Sequence, residues 1–246
     1  CKANTNKPFA VNLPLLYPHI EKHISLIIKH KVPVVITSAG SPKKYTSTLQ
    51  QNGIKVLHVV SSTLFAKKSQ DAGVDAVIAE GFEAGGHNGR EETTTFCLIP
   101  SVAQQIDIPL VAAGGIYSGK SMLATMVLGS DGVQIGSRFV ASEESSAHSL
   151  FKEKVINSAE GDTKLSLKKL TPVLLLNNVF SAEVTQTETR GGTVEELKAL
   201  LGKGRAKKGM FEGDVEHGEL EIGQCSSMIK NVKPAQQIIK EIISEY

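Results

Sequence analysis

Three observations predict an α/β fold built around a parallel sheet. Short, continuously apolar runs recur through the first 157 residues, segments with helical spacing separate them, and three of those segments close on a glycine. Strands buried on both faces of a parallel sheet read as unbroken apolar runs rather than as alternation. A glycine just past a helix adopts the left-handed conformation that ends it, and the next strand then starts within a few residues.

In chain order the apolar runs are Phe9–Leu13, Val34–Thr37, Val56–Val60, Ala76–Ala79, Leu110–Ala113 and Gly132–Ile135. After the first, Ile20, His23, Ile24, Ile27 and Ile28 share one helical face. Leu64, Phe65 and Lys68 do so before Gly73, and Met122, Leu123, Met126 and Val127 before Gly129; the third closing glycine is Gly53. The repeat is six βα units. An open doubly wound sheet that binds a dinucleotide carries G-x-G-x-x-G after its first strand, and this chain does not. Its glycines follow runs four to six instead, at Gly81 to Gly89, Gly114-Gly115 and Gly136. A ligand ringed by successive strand ends, with phosphate held by the last two, is the behaviour of a (β/α)8 TIM barrel. Six units is two short of closure and the sequence opens at Cys1 without a methionine. The chain is therefore expected to lack roughly the first two βα units, with residues 1–157 supplying units three to eight.

From about residue 158 the beat is lost. Residues 161–178 carry the apolar stretch Thr171–Leu176 without a strand–helix alternation. Thr193 and Glu196 form a capping box for a short helix ending at Leu201. Residues 204–223 are rich in glycine and charge, and 234–245 read as an amphipathic helix. Residues 158–246 are expected to form a lid or appended subdomain over the barrel mouth, with the C-terminal helix packing on the barrel.

Composition narrows the function classes. With 246 residues and 41% hydrophobic content the chain can bury one sizeable core. A formal net charge of +2 with scattered basic residues calls for neither nucleic acid nor a membrane surface. The one dense basic patch, KGRAKKG at 203–209, reads as a solvated loop. Cys1, Cys97 and Cys225 are too few and too far apart for a disulfide framework or a zinc site, which suits a cytoplasmic protein. No apolar run approaches the roughly 18 residues of a membrane span, and no signal peptide is visible. No His or carboxylate pair has ligand spacing, so no metal is expected.

The stretch DAVIAEGFEAGGHNGR, residues 75–90, concentrates the candidate chemistry. Its apolar run ends in Glu80, and a glycine-rich loop containing Gly85 presents His87. Glycines there let a backbone approach something flat or anionic, or adopt φ > 0. Glu80 is placed to accept hydrogen bonds from a ligand; an ion pair with a lysine is the alternative. The backbone N–H groups of Gly114-Gly115, ahead of Ser118-Gly119, are placed to cradle a phosphate at the next helix N-terminus. Gln134-Ile135-Gly136-Ser137-Arg138 repeats the arrangement one unit later and adds a hydroxyl; Arg138 either pairs with the anion or bridges structure. His19, His23 and His30 fall on or beside the first helix as surface residues, and His58 lies in an apolar strand as a core histidine. His217 and His148 sit in polar surroundings, the latter with a substrate-side option, and Cys97 is expected as a small buried side chain in a helix.

Over essentially its whole length the chain resembles the nitronate monooxygenase family of FMN-dependent barrels, which includes bacterial FMN-dependent enoyl-acyl-carrier-protein reductases. The resemblance is carried by PFAVNLPL, PVVITSAGSP, KVLHVVSS, DAVIAEGFEAGGHNGREETTT, IPLVAAGGI, DGVQIGSRF and GELEIGQCSSMI. It implies FMN in the barrel mouth. Asn12, Glu80, Gly85 and Gly115 would surround the isoalloxazine and ribityl chain. Gly114, Gln134, Ile135, Gly136 and Ser137 would hold ribityl and phosphate groups, and His87 would be the catalytic imidazole. It implies either NADH-dependent reduction of trans-2-enoyl-acyl-carrier-protein thioesters or oxidation of alkyl nitronates with O2, and a homodimer. Glu80, the run Thr93-Thr94-Thr95 and ESSAHSLFKEKV at 144–155 look more like the reductase branch. A non-catalytic flavin-binding scaffold is the reading from outside enzymology, and the intact histidine loop argues against it.

Overall fold

The structure, a computed structural model, describes residues 1–246. Its main sheet is parallel and takes β1 (Ala10–Pro14), β2 (Val34–Ser38), β3 (Lys55–Val60), β4 (Ala76–Glu80), β6 (Leu110–Ala113) and β7 (Gly132–Gln134). They lie side by side in that chain order. A doubly wound sheet reverses direction at a switch point, whereas strands added one after another in one direction are the order of a barrel. The fold is therefore α/β of TIM-barrel type, with β1 and β7 as the edges of the six-stranded sheet.

Helices α1 (Ile20–Lys29), α2 (Thr46–Gln51), α3 (Thr63–Asp71), α4 (Thr95–Ala103) and α5 (Gly119–Val127) cover the sheet's outer face. The three closing glycines have φ of +73° at Gly53, +79° at Gly73 and +109° at Gly129, as helix stop signals require. Just past Gly73 and Gly129 the chain is pinned in the same way twice. Asp75 donates its N–H to Val56 O at 2.7 Å, while its carboxylate accepts from Val56 N at 2.9 Å. Asp131 does the same to Leu110, at 2.7 and 2.8 Å. Each aspartate fixes the strand it opens to the strand before it.

Between sheet and helices lies a core of 21 buried apolar residues, in which Val35, Leu49, Val56, Val77, Ile99 and Val102 are fully enclosed. Each such valine, leucine or isoleucine contributes about 1.5–3 kcal/mol relative to exposure. Helix α4 enters this core through Thr95, Leu98, Ile99 and Val102. Cys97 lies off that face and is exposed, which corrects the expected burial.

The remaining elements are β5 (Gly86–His87), α6 (Ser137–Val140), α7 (Ser149–Ile156), β8 (Thr163–Ser166), β9 (Val173–Leu176), α8 (Val179–Thr189), α9 (Val194–Leu201), α10 (Arg205–Met210) and α11 (Ala235–Glu245). β8 and β9 pair antiparallel, and the order of this second sheet is β5-β9-β8. The stretch without an evident beat thus contains two strands, and the histidine loop supplies the third. Two smaller apolar clusters pack here: Phe151, Val155, Leu176, Leu220, Ile222 and Ile229 with Ala141, and Leu167, Val173, Leu175, Phe180, Val184 and Leu197. The Thr193 capping box is present, Thr193 N to Glu196 Oε2 at 2.7 Å and Glu196 N to Thr193 Oγ1 at 3.2 Å, and its helix ends at Leu201. The basic patch is helix α10 rather than loop. Lys207 pairs with Glu212 and Lys208 with Asp214, and Arg205 donates to the carbonyls of Leu200, Leu201 and His217. Helix α11 returns to pack on α5. No helix is long and apolar enough to cross a membrane.

Candidate active site

The C-terminal ends of β4, β6 and β7 meet in one rim. The register sets Glu80 beside Ala113 and Ala113 beside Gln134. Two hydrogen bonds lock the loops above them: Gly81 N donates to Ala113 O at 2.9 Å, and Thr95 Oγ1 donates to Gly114 O at 2.9 Å. Gly114 has φ +96°, and a Cβ there would lie 2.7 Å from Gly81 O and 2.8 Å from Thr95 Oγ1. Only glycine satisfies both constraints.

Glu83 is the hub of this arrangement. Its carboxylate accepts from Thr95 N at 2.8 and 3.1 Å and, with Thr95 Oγ1 3.0 Å away, competes with Gly114 O for that one hydroxyl proton, so it caps α4 from a distant loop. Its carbonyl accepts from Gln224 N at 3.0 Å, drawing the segment 218–229 onto the rim. Sequence reasoning gave Glu83 no role. The available signal was an acid preceding the threonine run that opens an apolar helix.

Several backbone donors on this rim have no acceptor in the chain. The N–H groups of Gly114, Gly115, Ile135 and Gly136 make no hydrogen bond. Gly115 has φ +70°, and a Cβ on Gly136 would meet nothing within 4 Å. The phosphate cradle expected at the N-terminus of α5 is not there, however. Ser118 and Ser121 form a capping box, Tyr117 N and Ser118 N donate to Ser121 Oγ, and Gly119 N donates to Glu245 Oε2 of α11 at 3.0 Å. The free donors belong to the loops after β6 and β7. Ser137 Oγ accepts from Gly223 N at 3.0 Å and its hydroxyl also meets the buried Cys225 thiol, so part of its hydrogen-bonding capacity is spent within the protein. The Gln134 side chain is half-buried and makes no hydrogen bond with the protein. Arg138 is structural: its guanidinium donates to Asn231 Oδ1 at 2.8 Å and Asn231 O at 3.1 Å.

Glu80 ends β4 half-buried, with neither a hydrogen bond nor an ion pair, so the lysine alternative does not occur. Burial pushes its carboxyl up to about 7. An unpaired polar group at the C-terminal edge of a barrel sheet is what a ligand site leaves open.

His87 reaches the surface at the end of β5, with His87 opposite Val173 and Gly86 opposite Leu174 of β9. Asn88 holds the turn, donating its N–H to Pro172 O at 2.8 Å and its amide to Ala84 O at 2.9 Å. Gly85 is needed by the protein itself, since a Cβ there would collide with the Ile222–Gly223 backbone. Asn12 lies on edge strand β1 with an exposed side chain. It is three strands from β4, about 14 Å across the sheet, and is not brought against the rim glycines.

The other histidines are accounted for by the fold. His58 is buried with Nδ1 2.7 Å from Thr37 Oγ1. His148 caps α7, its Nδ1 accepting from Leu150 N at 3.2 Å, and Gly213 packs on its ring, which replaces the substrate-side option. His19, His23 and His30 are exposed.

Comparison with known proteins places this geometry. The family model described as NMO: Nitronate monooxygenase matches residues 2–245. Probable nitronate monooxygenases of Staphylococcus aureus, strains MSSA476 and JH9, are 34% identical over 236 residues, covering 91% of this chain. The chain spans 65% of the length of these curated relatives. FabK from Thermotoga maritima superposes with a TM-score of 0.93 at 40% identity, over 99% of this chain and 77% of that one. A nitroalkane oxidase from Streptomyces ansochromogenes does so at 0.83 and 25%, over 99% and 82%. The histidine loop held by Asn88, the paired glycine turns and the late segment drawn over them thus occur in a chain that belongs to the nitronate monooxygenase family.

Proposed function

We propose that this chain is the catalytic part of an FMN-dependent oxidoreductase, and that its reaction is NADH-dependent reduction of trans-2-enoyl-acyl-carrier-protein thioesters. The observation that carries the flavin assignment is the rim itself. Four unpaired N–H groups at Gly114, Gly115, Ile135 and Gly136 stand next to an unpaired, half-buried Glu80. That is a donor set for a phosphate beside an acceptor for a hydroxyl or ring N–H, the two ends of a phosphorylated polyol joined to a heterocycle. Gly136, Ser137 and Gly114 would hold phosphate, and Gln134, Ile135, Gly115 and Glu80 the ribityl chain and ring, with Gly85 and Asn12 at the periphery. FMN, when bound, supplies the two-electron chemistry that connects NADH to the enoyl double bond.

In this reading His87, exposed at the end of a strand held in register by β9, polarises the thioester carbonyl and leads a proton to the α-carbon. Segment 218–229, tied down through Glu83 and Ser137, closes one wall and excludes water. The 40% identity with FabK against 34% with the Staphylococcus relatives supports the reductase branch. The names of those relatives support the second reading, oxidation of alkyl nitronates with O2. There His87 would abstract the α-proton of a nitroalkane or position the nitronate. The cytoplasmic, homodimeric state is part of the same proposal and rests on resemblance alone.

Anaerobic stopped-flow of the FMN-loaded protein separates the two. Bleaching of the flavin absorbance by NADH, and its return with a crotonyl-type thioester, is the expected result. Bleaching by a nitronate but not by NADH would move the chain to the oxidase reading.

A further inference from the structure

Glu221 occupies a position that the proposed chemistry has not used. Strand β9 has β8 along one edge, where Lys164 faces Leu175, so the bridge from Leu175 to Glu221 lies on the other edge, that of β5. Along that edge His87, Gly86 and Glu221 are successive rungs, opposite Val173, Leu174 and Leu175. Leu176 N, donating to Leu220 O at 2.9 Å, fixes the segment in this register. The Glu221 carboxylate turns back over the neighbouring rung, and a Cβ on Gly86 would stand 2.6 Å from its Oε2. Gly86, at φ +80°, is therefore both a turn residue and the opening through which a carboxylate reaches the back of the histidine loop.

We propose that Glu221 is the positioning residue of His87, its carboxylate set over the Gly86 backbone on the same strand edge and acting on the imidazole across that glycine.

Glu221 is half-buried and makes no hydrogen bond or ion pair with any group, His87 included, so it acts on the histidine through space and its charge is not engaged elsewhere. Burial raises its carboxyl above the ordinary glutamate range, and the His87 charge works in the opposite direction. The groups that bear on it are His87 from β5 and Glu219 two residues back on its own segment. Glu219 is itself pushed up to about 7, by burial first and by the Glu221 charge second, with Arg205 of α10 opposing. Arg205 is held by three carbonyls and stacks 4.5 Å from the Phe180 ring, so it serves Glu219 and leaves Glu221 to the imidazole.

The role of His87 rests on the proposed function, but the coupling does not, and the test separates them. In full-chain protein carrying 13Cδ-labelled glutamate, the Glu221 resonance is identified by its loss in Glu221→Gln and titrated in wild type and in His87→Ala. The expected result is a higher Glu221 midpoint without the imidazole. An unmoved midpoint overturns the proposal whatever the enzyme's substrate proves to be. In turnover assays with the holoenzyme, Glu221→Gln should lower kcat about tenfold at pH 7.5 with KM changed less than about twofold, and lowering the pH should restore it. Glu221→Asp should recover part of the rate. A loss confined to KM, or one independent of pH, would also overturn it.

Discussion

Two titratable side chains on neighbouring strands of the main sheet are treated in opposite ways. His58 on β3 pairs in register with Val77 of β4, is 4% exposed, and has Thr37 Oγ1 at 2.7 Å. Burial lowers its imidazole to about 4, so it is neutral and complete. Glu80, three residues beyond Val77, is partly buried without any partner, and burial raises its carboxyl to about 7. The β1–β3 side of the sheet satisfies its polar groups internally. The β4–β7 rim leaves a carboxyl and four backbone donors without a partner in the protein, half-buried or exposed, where a ligand can take them up. A satisfied buried polar group reports on the fold and an unsatisfied one reports on what the fold binds.

That contrast can be broken at several points. The largest effect is expected from His87→Ala, which should leave FMN binding unchanged and reduce turnover by about 10²–10⁴-fold, read by steady-state kinetics and flavin content. Retention of wild-type rates would remove His87 from the mechanism. Next is Gly114→Ala, where positive φ and close approach to Gly81 O and Thr95 Oγ1 coincide. Chemical denaturation should show about 2–4 kcal/mol lost. Gly136→Ala, with φ −101° and open space around it, should cost less than about 0.5 kcal/mol of stability while weakening FMN about tenfold.

The two titratable groups should then pull stability in opposite directions with pH. His58 has a folded value below its unfolded 6.5, so the unfolded chain binds more protons between the two. Its contribution is complete above pH 6.5 and is lost as pH falls through 4, by at most about 3 kcal/mol. Glu80 has a folded value above its unfolded 4.5, so its penalty appears as pH rises through 7. Glu80→Gln should therefore stabilise the protein by about 1–3 kcal/mol at pH 8 and by much less at pH 5, while lowering FMN affinity. Glu219 shares the sign of Glu80, so difference curves between variant and wild type isolate each group. A Glu80→Gln protein equally stable at both pH values would contradict the reading of Glu80 as an unsatisfied acid.

The main sheet was legible because its signals are local. Unbroken apolar runs mark strands covered on both faces, and the glycines at 53, 73 and 129 need only their own φ. The Thr193 box was legible for the same reason, since its two hydrogen bonds span three residues. The second sheet was not. β5 is two residues long and acquires its meaning from β9, nearly ninety positions later, and no period is measurable over two residues. Cys97 was misjudged by composition, although the spacing of Thr95, Leu98, Ile99 and Val102 already put it on the outer face. At the site, the rim glycines and Glu80 were visible as strand-end residues. Glu83 and Glu221 act through contacts 12 and 135 positions away along the chain, and a helix N-terminus that looked free proved to be capped by Glu245. Alternation and capping rules reach a turn or two, and these contacts are set by topology.

The most direct test of the central claim, that the β4–β7 rim is left unsatisfied for a flavin phosphate and ring, is calorimetric titration of the full chain with FMN, comparing wild type with Glu80→Gln, Gly136→Ala and Thr37→Val. The account predicts one FMN per chain, weakened by the two rim variants and unaffected by the change beside His58. Equal affinity in all four proteins, or no binding to wild type, would contradict it.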